Sequence, residues 1–311
     1  MITRLHSDQA VRELRTIRDL IRWGASRFQE RGLYFGHGTD NALSEAAYLV
    51  HHSLGFAPCL ADDYLDCRLT PVERRRIVRL FRQRIHRRIP AAYLTGEAWF
   101  ANLPFHVDRR VLIPRSPIAE LIEEEFQPWV EPERVGRILD LGTGSGCIAI
   151  ACAYAFPQAQ VDASDCAEPI LELTRRNIRR HGLEECVEPI RSDLFQRLGD
   201  RRYDLIISNP PYVAQDDYAK LPREYHHEPR TGLVAGPEGL DFVRPIVHRA
   251  VEFLNPGGVL IVELGNSQEA LMRHYPQVPF LWLEFQRGGE GVFLLTREQL
   301  EAHLDTPSLS V

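Results

Sequence analysis

Lysine is almost missing from this 311-residue chain: Lys220 stands alone, and arginine carries nearly all of the positive charge. A planar guanidinium offers paired donors where an ammonium offers a point charge, so such a chain is locally suited to phosphate and carboxylate recognition. The basic groups are still outnumbered, with Lys plus Arg at 37, Asp plus Glu at 43 and a net charge of −6. That balance excludes a protein that lives on bulk nucleic acid and leaves room only for selective contact with it. Long apolar runs are absent. The longest, residues 147–156, is about half of what a bilayer-spanning helix requires, so no membrane segment is expected. The start, MITRLHSDQAVREL, is charged and lacks the apolar core of a signal peptide. The six cysteines, at 59, 67, 147, 152, 166 and 186, form no CxxC pair. A zinc site and a thioredoxin-like redox site are therefore not expected, and reduced, packed thiols of a cytoplasmic protein are. There is no internal repeat and no low-complexity stretch.

What is present falls into two textures. Over residues 1–95 the apolar positions recur at helical spacing. Asp8 is a plausible N-cap for a helix carrying Val11, Leu14, Ile17, Leu20 and Ile21 as far as Phe28. A turn-rich stretch follows at 32–41, then a helix over 43–54 and a third beginning at Thr70-Pro71, with Thr as cap and Pro at the first helical position. Residues 96–116 read as a linker built on a hairpin, 98–100 and 104–107 around Asn102, and a helix carrying Ile118, Leu121, Ile122 and Phe126 follows Pro117. From 117 to 311 the texture becomes α/β. Strands are expected at 138–140, 160–163, 187–190, 204–208, 259–263, 281–285 and 292–295, with helices starting near Gly146, Glu168, Gly239 and Ser267. Alternation of this kind builds a mostly parallel sheet covered on both faces. The short glycine-rich link at 288–291 favours an antiparallel pair at its end.

Between the first strand and helix of that region stands Asp140-Leu141-Gly142-Thr143-Gly144-Ser145-Gly146. A dinucleotide fingerprint would need its third glycine at position 147, which is Cys147. The pattern here is GxGxG and resembles the loop that cradles S-adenosylmethionine, a ligand without a pyrophosphate. Asp165, after the second strand, is placed to accept the hydroxyls of a ribose, and Asp193, after the third, to accept an adenine amino group with Leu194 or Phe195 on the ring. Ligands of open α/β sheets bind beyond the carboxyl ends of the strands, where all of these residues fall.

Asn209-Pro210-Pro211-Tyr212 follows the fourth strand. An amide or aromatic amine nitrogen is a poor nucleophile because its lone pair is delocalised. The Asn209 side-chain oxygen can accept one N–H and the Pro210 carbonyl the other, turning the lone pair out for in-line displacement at a methyl sulfonium. Two prolines lock φ and fix the loop, and Tyr212 offers a flat wall. Catalysis of this type rests on positioning and on acceptors aimed at developing positive charge. It calls for no metal, covalent nucleophile or dedicated base.

The chain resembles the protein glutamine methyltransferases. Asn209-Pro210-Pro211-Tyr212 with the glycine loop is shared with enzymes that methylate adenine in nucleic acid. Tyr93-Leu94-Thr95-Gly96-Glu97-Ala98-Trp99-Phe100, Phe105 and Val111-Leu112-Ile113-Pro114-Arg115 look like the linker of the glutamine enzymes. Release-factor members usually follow Pro-Arg with Pro-Asp/Glu-Thr-Glu. Here Ser116-Pro117-Ile118-Ala119-Glu120 follows, similar to the branch acting on large-subunit ribosomal protein L-three, as are Gly36-His37-Gly38-Thr39-Asp40-Asn41, Glu224-Tyr225-His226-His227-Glu228-Pro229 and Trp282-Leu283-Glu284-Phe285.

The resemblance implies a seven-stranded Rossmann-like methyltransferase sheet at 117–311, a helical substrate-recognition domain at 1–95 and the hairpin linker at 96–116. It implies S-adenosylmethionine as cofactor, held by Asp140, Gly142, Thr143, Gly144, Ser145, Gly146, Asp165, Asp193 and Leu194. It implies that Asn209, Pro210, Pro211 and Tyr212 serve catalysis, that Asn209, Pro210 and Tyr212 bind the glutamine, and that Phe100, Pro114 and Arg115 line the mouth. The expected partner is ribosomal protein L-three, free or in an assembly intermediate. Release factors and nucleic-acid adenine are the alternative substrates.

Two features stand outside that scheme. The helix over 74–88 carries Arg74, Arg75, Arg76, Arg79, Arg82, Arg84, Arg87 and Arg88, a solvated face or a contact to ribosomal RNA. His226 and His227 are adjacent, and neighbours in a strand face opposite ways, so no metal is expected there.

Overall fold

A computed structural model describes residues 4–56 and 62–304, so Cys59 lies outside the described residues. The chain divides into two compact units, one of Met1–Glu97 with Pro222–His227 and one of Ala98–Leu221 with Glu228–Val311.

The first unit is helical, with α1 (Arg4–Glu13), α2 (Ile17–Glu30), α3 (Ala42–Leu54), α4 (Pro71–Arg87) and α5 (Ala91–Thr95). The single helix expected through Phe28 is two. Thr16 accepts the Asp19 N–H while Asp19 caps Thr16 in return, and this reciprocal box starts α2. Leu14 and Ile17 keep helical spacing across the break, which is why periodicity alone runs through it. Thr70 and Glu73 form the same box at the head of α4. Leu20, Phe28, Leu49, Ile77 and Phe81 are buried together in the core of this unit.

Within that core Arg84 is 0% exposed. It does not belong to a solvated face. Its Nε donates to Glu45 Oε1 at 2.6 Å, Nη1 to Glu224 Oε1 at 3.1 Å and Nη2 to the Tyr34 carbonyl at 2.7 Å. Glu224 comes from the Pro222–His227 segment, which a division of the chain at residue 117 does not anticipate. Arg88 donates to the carbonyls of Gly32 and Arg31, and Arg74 to that of Leu14. The remaining arginines of α4, at 75, 76, 79, 82 and 87, are exposed.

A hairpin, β1 (Glu97–Phe100) and β2 (Leu103–His106), follows, all but its first residue in the second unit, and its turn residues Ala101 and Asn102 have φ of 45° and 59°. Then come α6 (Ile118–Glu123), β3 (Arg137–Leu141), α7 (Cys147–Ala155), β4 (Gln160–Asp165), α8 (Glu168–His181), β5 (Val187–Arg191), β6 (Tyr203–Ser208), α9 (Gln215–Tyr218), α10 (Val243–Phe253), β7 (Leu254–Glu263), α11 (Gln268–His274), β8 (Leu281–Leu283), β9 (Val292–Thr296) and α12 (Arg297–Leu304). The helix after Pro117 stops before Phe126, which adopts φ of 55°. Seven strands form one sheet in the order β5-β4-β3-β6-β7-β9-β8. Strands β3 to β7 pair in parallel, and β9 runs antiparallel between β7 and β8.

Successive residues of a strand face opposite sides. Ile138, Leu205, Ile207 and Ile261 accordingly pack with α6 and α7, while Leu139, Leu141, Ile206, Leu260 and Val262 pack with α10 and α11. The chain enters the sheet at β3, builds outward to β5, then returns to β6 on the other side of β3. The β3/β6 boundary is therefore the topological switch point, where crevices form beyond the carboxyl ends. No helix among the described residues is long and apolar enough to cross a membrane.

Candidate active site

The switch point brings the two sequence motifs side by side. Leu141 pairs with Ser208 and the Ser208 hydroxyl donates to the Leu141 carbonyl at 2.7 Å. The glycine loop and Asn209 thus leave neighbouring parallel strands at one level, about 4.8 Å apart. Leu141 also pairs with Ser164, placing Asp165 on the other flank, and Asp165 pairs with Arg191, which leads into Asp193.

The glycine loop is held from below. Gly142 and Thr143 donate to the Ser164 carbonyl at 2.9 and 2.8 Å. Gly144 has φ of 54° and Gly146 of 83°, the region glycine enters without penalty. A Cβ at Gly146 would also stand 2.9 Å from Thr174 Cγ2, whereas one at Gly144 meets nothing within 4 Å. The outer side of the loop is open. From α8, Thr174 donates to the Gly144 carbonyl at 2.8 Å and Asn177 to that of Ser145 at 2.8 Å. Asn177 also accepts the His106 N–H, which ties the loop to the hairpin. The motif reading missed both residues. Their signal was two polar side chains on the buried stripe of Leu171, Thr174, Asn177 and Ile178.

Asp140 lies 1% exposed beneath the loop. Its Oδ2 accepts from the Thr143 hydroxyl and from the Ala149 N–H at 3.0 Å, and so caps α7. Its Oδ1 is buried with no hydrogen-bond partner. Burial pushes the carboxyl up to about 7, against the help of Thr143 and Ala149. Asp165 is also pushed up by burial, and accepts the Gly144 and Ala167 N–H groups at 3.2 Å each. Asp193 is exposed and accepts from Gln196. Leu194 sits at φ of 46°, its carbonyl held by the Ser192 hydroxyl at 2.6 Å. Burial pushes the thiol of Cys147 up to about 12, so it stands at the head of α7 as an inert small residue.

At the end of β6, Asn209 Oδ1 is buried and accepts no hydrogen bond. A buried acceptor without a donor costs about 1–3 kcal/mol, and such a cost persists where a ligand removes it. Tyr212 is fixed at several points. Its hydroxyl donates to Glu263 Oε1 at 3.0 Å, and its carbonyl accepts from the Ser267 hydroxyl at 2.8 Å. A Cβ at Gly265 would stand 2.7 Å from the Tyr212 ring and one at Gly239 2.1 Å from the Tyr212 carbonyl. A cavity of about 360 Å³ adjoins Tyr212, lined among others by Val213, Asp217, Asn266, Ser267 and Arg273.

Of the residues assigned to the mouth, Phe100 is buried at 4% in the core cluster that includes Phe105 and Ile118, so its side chain supports the hairpin from within. Pro114 is buried as well. Arg115 grips Glu228 with both Nη atoms, at 2.6 and 2.8 Å, and Glu228 also takes the Ile113 N–H. His226 and His227 lie in a 3-10 turn, not a strand, and His227 Nε2 is 2.7 Å from the Arg87 carbonyl.

Known proteins resemble the chain over nearly its whole length. A ribosomal protein uL3 glutamine methyltransferase of Neisseria meningitidis serogroup B is 49% identical over 294 residues, covering 94% of this chain and 97% of the relative. A protein of the same name from Neisseria gonorrhoeae is 49% identical over 294 residues, covering 94% and 98%. The Methyltransferase small domain family matches residues 122–224. A solved methyltransferase from Pyrococcus furiosus is similar at 20% identity and a TM-score of 0.44, covering 62% of this chain and 88% of that one.

Proposed function

The chain belongs to the ribosomal protein uL3 glutamine methyltransferases, enzymes that use S-adenosylmethionine, and we propose that it methylates the side-chain amide nitrogen of a glutamine in uL3. The observation that carries this reading is the buried, unpartnered Asn209 Oδ1 at the switch point. An acceptor in that state fits an amide N–H. Incubating the purified protein with unmethylated uL3 and S-adenosylmethionine should add one methyl group to a glutamine-containing peptide, and a peptide map without it would sink the proposal.

The residues present fit the cofactor. Asp140 Oδ1, buried and unpartnered, suits a cationic amino group. The open side of Gly142 and Gly144 admits close approach along Thr143 and Ser145 to Gly146. Asp165 would take ribose hydroxyls, Asp193 the adenine amino group, and Leu194 the face of the ring. Bound S-adenosylmethionine supplies the methyl group as an electrophilic sulfonium.

Asn209 Oδ1 then accepts one amide N–H of the glutamine and the Pro210 carbonyl the other. The two acceptors reduce conjugation of the nitrogen lone pair and stabilise the positive charge that nitrogen gains. Pro210 and Pro211 hold both acceptors in place before substrate arrives, and Tyr212 backs the amide plane. The nitrogen gains a methyl group and loses one proton to water, so no side chain need act as base.

Asp140 makes cofactor binding pH-dependent. Its folded pKa, about 7, lies above the ordinary carboxyl value of 3.8. A raised carboxyl pKa means that the cofactor-free fold loses stability as pH rises from the ordinary carboxylate range to about 7. Cofactor binding is expected to release a proton across that upper range and to tighten with pH. Asp140→Asn should weaken the cofactor by roughly tenfold or more and remove both slopes. Calorimetry in buffers of different ionisation heat, and thermal unfolding without cofactor, check the two parts. A wild-type affinity flat from pH 6 to 8, about one unit on either side of that pKa, would contradict the assignment.

The partner reading extends to ribosomal RNA. Arg75, Arg76, Arg79, Arg82 and Arg87 are exposed on α4, and no carboxylate pairs with them among the described residues. Residues three and four apart share a helix face, so Arg75, Arg79 and Arg82 form one stripe suited to phosphates, with Arg76 and Arg87 to one side of it. Reversing Arg75, Arg79 and Arg82 to Glu should leave turnover on free uL3 unchanged. On RNA-containing assembly particles it should lower kcat/KM and flatten its log–log salt dependence by about 2. Equal salt slopes for the two proteins would remove the RNA contact.

A further inference from the structure

We propose that Ser116 and Glu263 are positioning residues for the methyl-transfer loop, acting through the Tyr212 hydroxyl. This rests on the glutamine-methyltransferase reading of Asn209-Pro210-Pro211-Tyr212 and names what holds that loop in register.

Glu263 ends β7. Val262 pairs with Ser208, so Glu263 stands beside Asn209 on the neighbouring strand. It is 6% exposed, and each of its oxygens takes one hydroxyl: Oε1 that of Tyr212 at 3.0 Å, Oε2 that of Ser116 at 2.5 Å. Ser116 is buried too, and its Oγ also accepts the Ile118 N–H at 3.1 Å, which fastens it to the first turn of α6. One residue earlier, Arg115 is clamped on Glu228. The carboxylate therefore bridges a rigid anchor to a loop whose two prolines leave few backbone N–H groups to fix it. Burial pushes the Glu263 carboxyl up, against the help of both hydroxyls, and in so dry a setting each hydrogen bond it accepts is stronger than in water. A carboxylate shared by two hydroxyls inside the protein couples them, because loosening one donor frees the carboxylate to move away from the other.

Ser116→Ala and Tyr212→Phe each remove one hydroxyl and keep the rest of the side chain. Misplacement by about 1 Å can cost ~10²-fold in rate; with one anchor lost, each variant should lower kcat roughly tenfold. The KM for uL3 and the cofactor Kd should stay near wild type, while the thermal midpoint falls modestly, because each variant leaves one buried Glu263 oxygen without its donor. The double variant should lose far less than the product of the single losses, since both act through one carboxylate.

Hydrogen exchange on client-free protein gives the second readout. Ser116→Ala should speed exchange in the peptide over 208–214, remote in sequence, and leave that over 137–150 unchanged. Full kcat in Ser116→Ala, unaltered exchange at 208–214, or single losses that multiply would each overturn the proposal. Wild-type turnover on uL3, run alongside, tests the underlying function separately, because the exchange measurement needs no client.

Discussion

Asn209→Ala should lower kcat for glutamine methylation by roughly 10²–10³-fold, the cost of removing one preorganised hydrogen-bond partner from a reacting centre. The cofactor Kd should be unchanged, since the glycine loop, Asp140 and Asp165 take their contacts from one another and from β4, α7 and α8. The fold should be unharmed or slightly more stable. Asn209 Oδ1 carries a desolvation cost with no bond to offset it in the free protein, and alanine relieves that cost. Lost activity with gained stability is the signature of a group kept for its ligand. Single-turnover kinetics and denaturant unfolding together check it. A variant that lost activity only in proportion to lost stability would place Asn209 in the scaffold.

Arg84→Met should destabilise the helical unit by about 3–5 kcal/mol, the usual cost of breaking a buried ion pair from one side. The guanidinium is the main counter-charge of Glu45 and Glu224, each nearly inaccessible, with Arg88 Nη1 also 3.3 Å from Glu224 Oε1. Burial already pushes Glu45 up; Glu224, though buried, is held below its ordinary value by Arg84 and by the Tyr34 N–H. Without Arg84 both carboxyl groups rise. A carboxyl pKa raised in the fold favours folding below it, so the deficit should shrink as pH falls through the raised values toward the ordinary carboxylate range. Adding Glu45→Gln and Glu224→Gln should recover much of the loss at neutral pH. Urea unfolding at pH 5 and pH 8 reads the difference, and a deficit equal at both would mean that lost packing, not charge, dominates.

The sheet was legible because its strands are bounded apolar runs, and the position of each motif after a strand put it at the carboxyl edge. The glycine loop and Asn209-Pro210-Pro211-Tyr212 could therefore be assigned to one crevice, although only the strand order makes them neighbours across β3 and β6. The break at Thr16 was not legible, since Leu14 and Ile17 keep helical spacing through it and the capping box is polar. Nor was Arg84. A run of arginines reads as a solvated face, and nothing local says that Glu224, distant in the chain, will bury one of them. Ser116, Asn177 and Glu228 escaped for the same reason: their roles lie in hydrogen bonds to residues far away in sequence. Motifs mark the groups that meet ligands, while the groups that hold those motifs in place are fixed by tertiary contacts.

The most direct test of the central claim uses an extract from cells lacking this protein, supplied with the purified enzyme and labelled S-adenosylmethionine. The product is resolved and the methyl mapped by mass spectrometry. Label on a glutamine side chain of uL3, absent when Asn209→Ala replaces the wild type, is the expected result. Label in RNA or DNA would contradict glutamine as the nucleophile, and label on a release-factor glutamine would keep the chemistry while contradicting uL3 as the client.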